Sequence, residues 1–314
     1  MRNQASKFHT PVLLQEAIDY LNVSPGNLFI DATLGGAGHA LAILKKGGRV
    51  LGLDWDKEAI KYAKNRLAKA CPPKDFWLEK ASFANLKKIW QEKNLERPAG
   101  ILFDLGVSSH QLETEKRGFG FRQNTELDMR MDLEGQKVTA ADLLKVLSKK
   151  ELYELTARLG EEQLARPIAG AIVLARRKKP ITTTTQLKNL VAGIYRHHRK
   201  RSRHIHPATK TFQALRIAVN DELNNLKEGL NQAFEILDKK GRLVVISFHG
   251  GEDRIVKHFF KNKKEQGLAK VLIKKPIVPS REEISINPRS RSAKMRAIEK
   301  LKIKYKKSKT QIKN

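Results

Sequence analysis

Short apolar runs alternate with helical stretches over the first hundred residues. Residues 27–34 (NLFIDATL) read as a buried strand that ends in glycines, and residues 49–54 (RVLGLD) as a second. Residues 76–79 supply a short third strand and residues 100–105 (GILFDL) a fourth. Between the second and third, residues 57–70 carry Ile60, Ala63 and Leu67 at helical spacing. Strands separated by helices of this length predict an α/β fold, a parallel sheet with helices on both faces.

The rhythm changes after the fourth strand. From about residue 111 to 203 no strong strand is visible, and residues 143–147, 151–159, 164–175 and 185–195 have helical patterning. Breaks such as Lys178-Lys179-Pro180 separate them. This stretch reads as a helical insertion. Residues 210–237 predict a long amphipathic helix or a helix pair, and residues 242–248 (RLVVISF) a strand that returns the chain to the sheet. Residues 271–278 and 296–305 supply a last strand or hairpin. The expected division is a discontinuous cofactor domain, 1–110 and 207–314, around an all-helical insertion, 111–206.

Composition adds a partner class. The chain has 314 residues, 40% of them hydrophobic, with 62 Lys+Arg against 33 Asp+Glu and a formal charge of +29. That is core enough for a domain of this size, and the basic excess favours a polyanion through counterion release. The lone cysteine, Cys71, excludes an internal disulfide and a cysteine-based zinc site, and reads as a spare thiol. No run approaches the ~18 apolar residues of a membrane span, and the first residues lack a signal-peptide core. A soluble, cytoplasmic protein with no membrane partner is expected.

The most informative local feature is Asp31-Ala32-Thr33-Leu34-Gly35-Gly36-Ala37-Gly38-His39, which follows a strand and opens a helix. Glycines there let the backbone turn sharply and approach a ligand. Ligands of open parallel sheets bind beyond the carboxyl ends of the strands. Asp54 ends the next strand, where a carboxylate can accept ribose hydroxyls. The third glycine of a dinucleotide fingerprint is replaced by Leu41, and a P-loop lysine is missing. What remains fits a nucleoside without a pyrophosphate, such as S-adenosylmethionine, though a plain tight turn has the same signature. Asp104 ends the fourth strand, and a carboxylate there is costly to bury without partners. Phe83 suits either an adenine or the core.

Several blocks carry a resemblance: Phe8-His9-Thr10-Pro11-Val12-Leu13-Leu14 with Glu16, Asp31 through His39, Asp104-Leu105-Gly106-Val107-Ser108-Ser109 with Gln111-Leu112, and Arg117-Gly118-Phe119. Then come Leu127-Asp128-Met129-Arg130-Met131-Asp132, residues 207–217 (PATKTFQALRI), Ser247-Phe248-His249, Glu252-Asp253-Arg254 and residues 287–292 (NPRSRS). Together they resemble the bacterial 16S ribosomal RNA (cytosine-N4)-methyltransferase family over nearly the whole chain. The resemblance implies a Rossmann-like methyltransferase sheet interrupted by a helical substrate-binding domain. It implies S-adenosylmethionine contacts at Ala37, Gly38, His39, Asp54, Phe83, Asp104 and Gln111. The implied substrate is the N4 amine of a decoding-centre cytosine, in free small-subunit rRNA or the assembled subunit, with the enzyme a monomer or homodimer. Ala37 stands where the family usually has glycine, and Gly250-Gly251 where it usually has Ser-Leu.

Such chemistry needs no covalent nucleophile, only an amine placed ~3–3.5 Å from a methyl group. Asp104, with Ser108 and Ser109, is the candidate acceptor for an amine hydrogen. Arg117 and Arg130, among Asp128 and Asp132, suit phosphates or a solvated ion-pair cluster. Arg289 and Arg291 suit phosphate or a charged surface loop. Residues 197–206 hold four of the nine histidines between cations, including Arg199, Lys200, Arg201 and Arg203. The cations disfavour a metal there, no metal site is expected elsewhere, and RNA contact or a solvated face remain. A non-catalytic RNA-binding protein would explain the charge but not three strand-end aspartates. A DNA amino-methyltransferase usually has Pro-Pro-aromatic after the fourth strand, where this chain has Leu-Gly-Val.

Overall fold

The structure is a computed structural model, and it describes residues 11–107, 117–199 and 206–302. Its centre is a seven-stranded sheet in the order β3-β2-β1-β4-β5-β7-β6. The strands are β1 (Leu28–Asp31), β2 (Arg49–Asp54), β3 (Phe76–Lys80), β4 (Gly100–Asp104), β5 (Arg242–Ser247), β6 (Ala269–Val271) and β7 (Lys294–Lys300). β1 to β5 run parallel, and β7 lies antiparallel between β5 and β6. This is the expected α/β sheet with an antiparallel edge.

Both faces of the sheet are buried, which is why its strands read as unbroken apolar runs. On one face Leu28, Ile30, Leu51 and Phe103 pack under α4 (Leu86–Glu92), α10 (Glu222–Ile236) and α11 (Gly250–Glu265). On the other, Phe29, Val50, Leu102 and Met295 pack under α1 (Leu14–Leu21), α2 (Gly38–Lys45) and α3 (Lys57–Ala68). Cys71 is half-buried against this second cluster, and burial pushes its thiol upward.

A third cluster belongs to helices α5 (Ala140–Val146), α6 (Lys149–Leu159), α7 (Ala165–Lys178) and α8 (Thr184–His197). Thr139, Ser148 and Thr183 each start a helix with a reciprocal capping box. The predicted 210–237 element is a pair: α9 (Thr209–Asn220) and α10 part at Asp221, whose φ of 47° is left-handed. Phe212 and Leu215 of α9 pack into the helical cluster, so α9 joins helical layer to sheet. Asn220 adds a polar tie: its amide donates to Met129 O and accepts from Met131 N, both at 2.8 Å. Among the described residues no helix is long and apolar enough to cross a membrane.

Candidate active site

Three neighbouring strands end in aspartate: Asp31 on β1, Asp54 on β2 and Asp104 on β4. β1 and β4 are adjacent, and the chain winds outward in opposite directions from them. That is the switch point where such sheets open a crevice. A cavity of about 730 Å³ lies there, lined by Gly35, Asp54, Ser82, Phe83 and Asp104, and opposite them by Gln213, Arg216 and Phe248.

Backbone bonds fix the acidic rim. Asp54 Oδ2 accepts the Gly35 N–H and its Oδ1 the Asp56 N–H, each at 2.8 Å. The Asp104 N–H donates to Thr33 Oγ1 at 2.6 Å, tying the β4 end to the β1 loop. Asp31 is 1% exposed and accepts from the Thr33 N–H at 3.3 Å. Burial raises its pKa to about 7, with the charges of Asp104 and Asp54 adding to the rise and the Thr33 N–H opposing it.

The glycine loop works by shape. Gly35 and Ala37 have φ of 47° and 57°, and Ala37 is fully buried in the core. A Cβ on Gly38 would come within 2.8 Å of the Pro11 ring, so only glycine lets α2 start there. Ala37, Gly38 and His39 therefore sit behind the loop, while Gly35 faces the cavity. His39 is 4% exposed, with Nε2 3.1 Å from Val12 O and Nδ1 3.7 Å from Asp104 Oδ2. Phe83 stacks edge-on against Phe103 at 5.4 Å and also lines the cavity. Gln111 lies outside the described residues, as do Ser108 and Ser109.

The arginines divide. Arg117, expected at a phosphate, is 5% exposed. It pairs with buried Asp56 at 3.2 Å and donates to Arg130 O and Met131 O at 3.2 and 2.9 Å. The reading of Arg117 as an RNA contact is corrected: its donors face inward and hold the segment after β4 against the start of α3. Arg130 forms a fork with Asp128, at 2.8 and 2.7 Å. Arg289 lies on the cavity wall, and Arg291 and Arg199 are exposed. Arg201 and Arg203 lie outside the described residues.

Trp55, Phe121, Gln213, Arg216 and Phe248 reach the cavity without having been assigned a part. Gln213 and Arg216 sit one helical turn apart within the 207–217 block, and that spacing was the available signal. Among the described residues, Glu222, His249 and Glu252 bring ligand atoms within 4.8 Å of one another. Glu222 already binds Arg216 Nε and Nη2, both at 2.8 Å, and Glu252 accepts the Phe248 N–H at 2.8 Å. Both oxygens of Glu222 are therefore already engaged by a guanidinium.

A family model described as the MraW methylase family matches residues 6–301. The chain is 45% identical over 311 residues to the ribosomal RNA small subunit methyltransferase H of Carboxydothermus hydrogenoformans, covering 93% of this chain and 98% of that protein. It is 46% identical to the protein of the same name from Sulfurihydrogenibium sp., covering 92% and 97%. Among solved structures, an rRNA methylase from Streptococcus thermophilus aligns at 11% identity and a TM-score of 0.45, covering 93% of this chain and 98% of that one.

Proposed function

The chain belongs to the MraW methylase family, and from that premise we propose that it uses S-adenosylmethionine to methylate the N4 amine of a decoding-centre cytosine in small-subunit rRNA. The relatives' names support the rRNA. The observation that carries the chemistry is the convergence of Asp54 and Asp104 on one cavity, beneath a loop shaped by Gly35.

The donor set fits the cofactor. Asp54 accepts ribose hydroxyls, Phe83 offers a ring to the adenine, and Asp104 faces the ammonium and the reacting centre. Ala37, Gly38, His39 and buried Asp31 hold the loop that these groups share, and Gln111 completes the set by its motif position. Bound there, S-adenosylmethionine supplies a methyl group activated by a sulfonium.

This chain's residues then have one demanding task. Cytosine N4 is a poor nucleophile because its lone pair is delocalised into the ring. Asp104 accepts an N4 hydrogen, which frees that lone pair as the nitrogen turns tetrahedral, and the proton departs after transfer. Positioning supplies most of the acceleration.

The target base must leave its stack to enter the cavity. Residues 111–206 act as the substrate domain that grips the flanking strand, with 1–110 and 207–314 as the cofactor domain. Arg199, Arg201, Arg203, Arg289 and Arg291 contact phosphates there. The enzyme works in the cytoplasm as a monomer or homodimer without a metal. The test is tritiated-methyl transfer to naked rRNA and to small subunits from a strain lacking the enzyme. Label in N4-methylcytosine is expected, and label in any other nucleotide overturns the assignment.

A further inference from the structure

Half of the cavity is not accounted for by the strand-end carboxylates. Gly35, Asp54 and Phe83 line the side toward β1, β2 and β3. The sheet order puts β4, and with it Asp104, in the middle. Beyond it, Gln213 and Arg216 from α9 and Phe248 from the end of β5 form the opposite wall. Phe248 reaches the middle, since a Cβ on Gly106 would lie 3.7 Å from its ring.

Arg216 is held in place. Glu222 binds its Nε and Nη2, both at 2.8 Å. Its Nη1 has no protein partner among the described residues, although the side chain faces the cavity. The Gln213 amide likewise has none there. Two donors one turn apart on a helix, beside a flat apolar ring, make a receptor for a planar heterocycle that offers adjacent acceptors.

Resting on the proposed function, we infer that this wall reads the target base. Gln213 donates to cytosine N3, Arg216 Nη1 donates to O2, and Phe248 lies against the ring face. That edge-on grip turns N4 toward Asp104. It also explains selection. Adenine has an amine beside a ring acceptor but a C–H where cytosine has O2, which leaves a charged donor without an acceptor. Uracil presents N3–H to a donor and has no amine.

The test pairs a side-chain change with an atom change. Wild type and Gln213→Ala are assayed on rRNA fragments carrying cytidine or 3-deazacytidine at the target. The second base keeps the amine and replaces N3 by C–H. Gln213 is half-buried on α9, with its side chain at the cavity rather than in the core, and alanine is a better helix former, so the variant folds. Each single change is expected to lower kcat/KM about 10-fold, and the two together little more than either alone. Affinity for S-adenosylmethionine stays within about twofold, as two separate half-sites require. Losses that multiply, an unchanged kcat/KM in the variant, or an equal fall in cofactor affinity each overturn the assignment. If wild type methylates no cytosine in rRNA, the proposed function fails and this reading goes with it. Activity with multiplying losses removes the base-reading wall alone.

Discussion

Gly35 gives its backbone N–H to Asp54, 2.8 Å away, so the loop after β1 and the end of β2 are one hydrogen-bonded unit. Asp54 thus shapes the cofactor loop and faces the cavity at once. Its loss releases the loop and, on the proposed reading, would also remove the ribose acceptor. Asp54→Ala is expected to weaken S-adenosylmethionine binding by about 10- to 100-fold. Asp54→Asn, which keeps one acceptor, should fall between. Titration calorimetry reads both, and a wild-type Kd in the alanine variant would place the ribose elsewhere.

Asp31 carries a pH signature. Its folded-state pKa of about 7 lies above the ordinary value of 3.8, so folding favours the protonated carboxyl. The stability it contributes is whole below about pH 4 and drains away as pH rises through 7. Between those limits the loss is on the order of 4 kcal/mol at most. Asp31→Asn does not titrate. It should melt higher than wild type at pH 8, with the gap shrinking steadily toward pH 5. A pH-independent gap in calorimetric melting would show that Asp31 is ionised throughout.

The buried pair of Arg117 and Asp56 sets a third expectation. Arg117→Ala leaves Asp56, 3% exposed, without its guanidinium. Breaking such a pair from one side costs about 3–5 kcal/mol. Chemical denaturation should find a loss of that size, while the salt dependence of RNA binding by the folded fraction stays as in wild type. A flatter salt slope would return Arg117 to the phosphates.

The opposite result is expected for the basic stretch after α8. Neutralising Arg199, Lys200, Arg201 and Arg203 together should leave the melting temperature within a few degrees. It should also reduce the slope of log K against log salt by about 2–3, at roughly 0.7 per phosphate contact. An unaltered slope removes the stretch from the RNA path.

Much of this was legible in the chain. β1, β2, β4 and β5 are buried on both faces, so their apolar runs stand out, and Asp31, Asp54 and Asp104 stand out by ending them. The helical layer was legible through its period and its polar and proline breaks. Arg117 was not, because its burial is decided by Asp56 on another element, and an arginine among carboxylates looks the same either way. Gln213 and Arg216 hide for a similar reason. On one helix they look like ordinary polar residues, and only the fold turns that face toward β4. Ala37 shows that the left-handed turn accepts a methyl, which is enclosed by core side chains.

β7 occupies an interior lane of the sheet, between β5 and β6, although it is the last strand among the described residues. During synthesis β5 must wait with a bare ladder of amides and carbonyls until residues 294–300 emerge. A chain cut short before Lys294 would keep that ladder open to a second molecule. Premature termination would therefore yield a sticky, self-pairing species rather than a smaller enzyme.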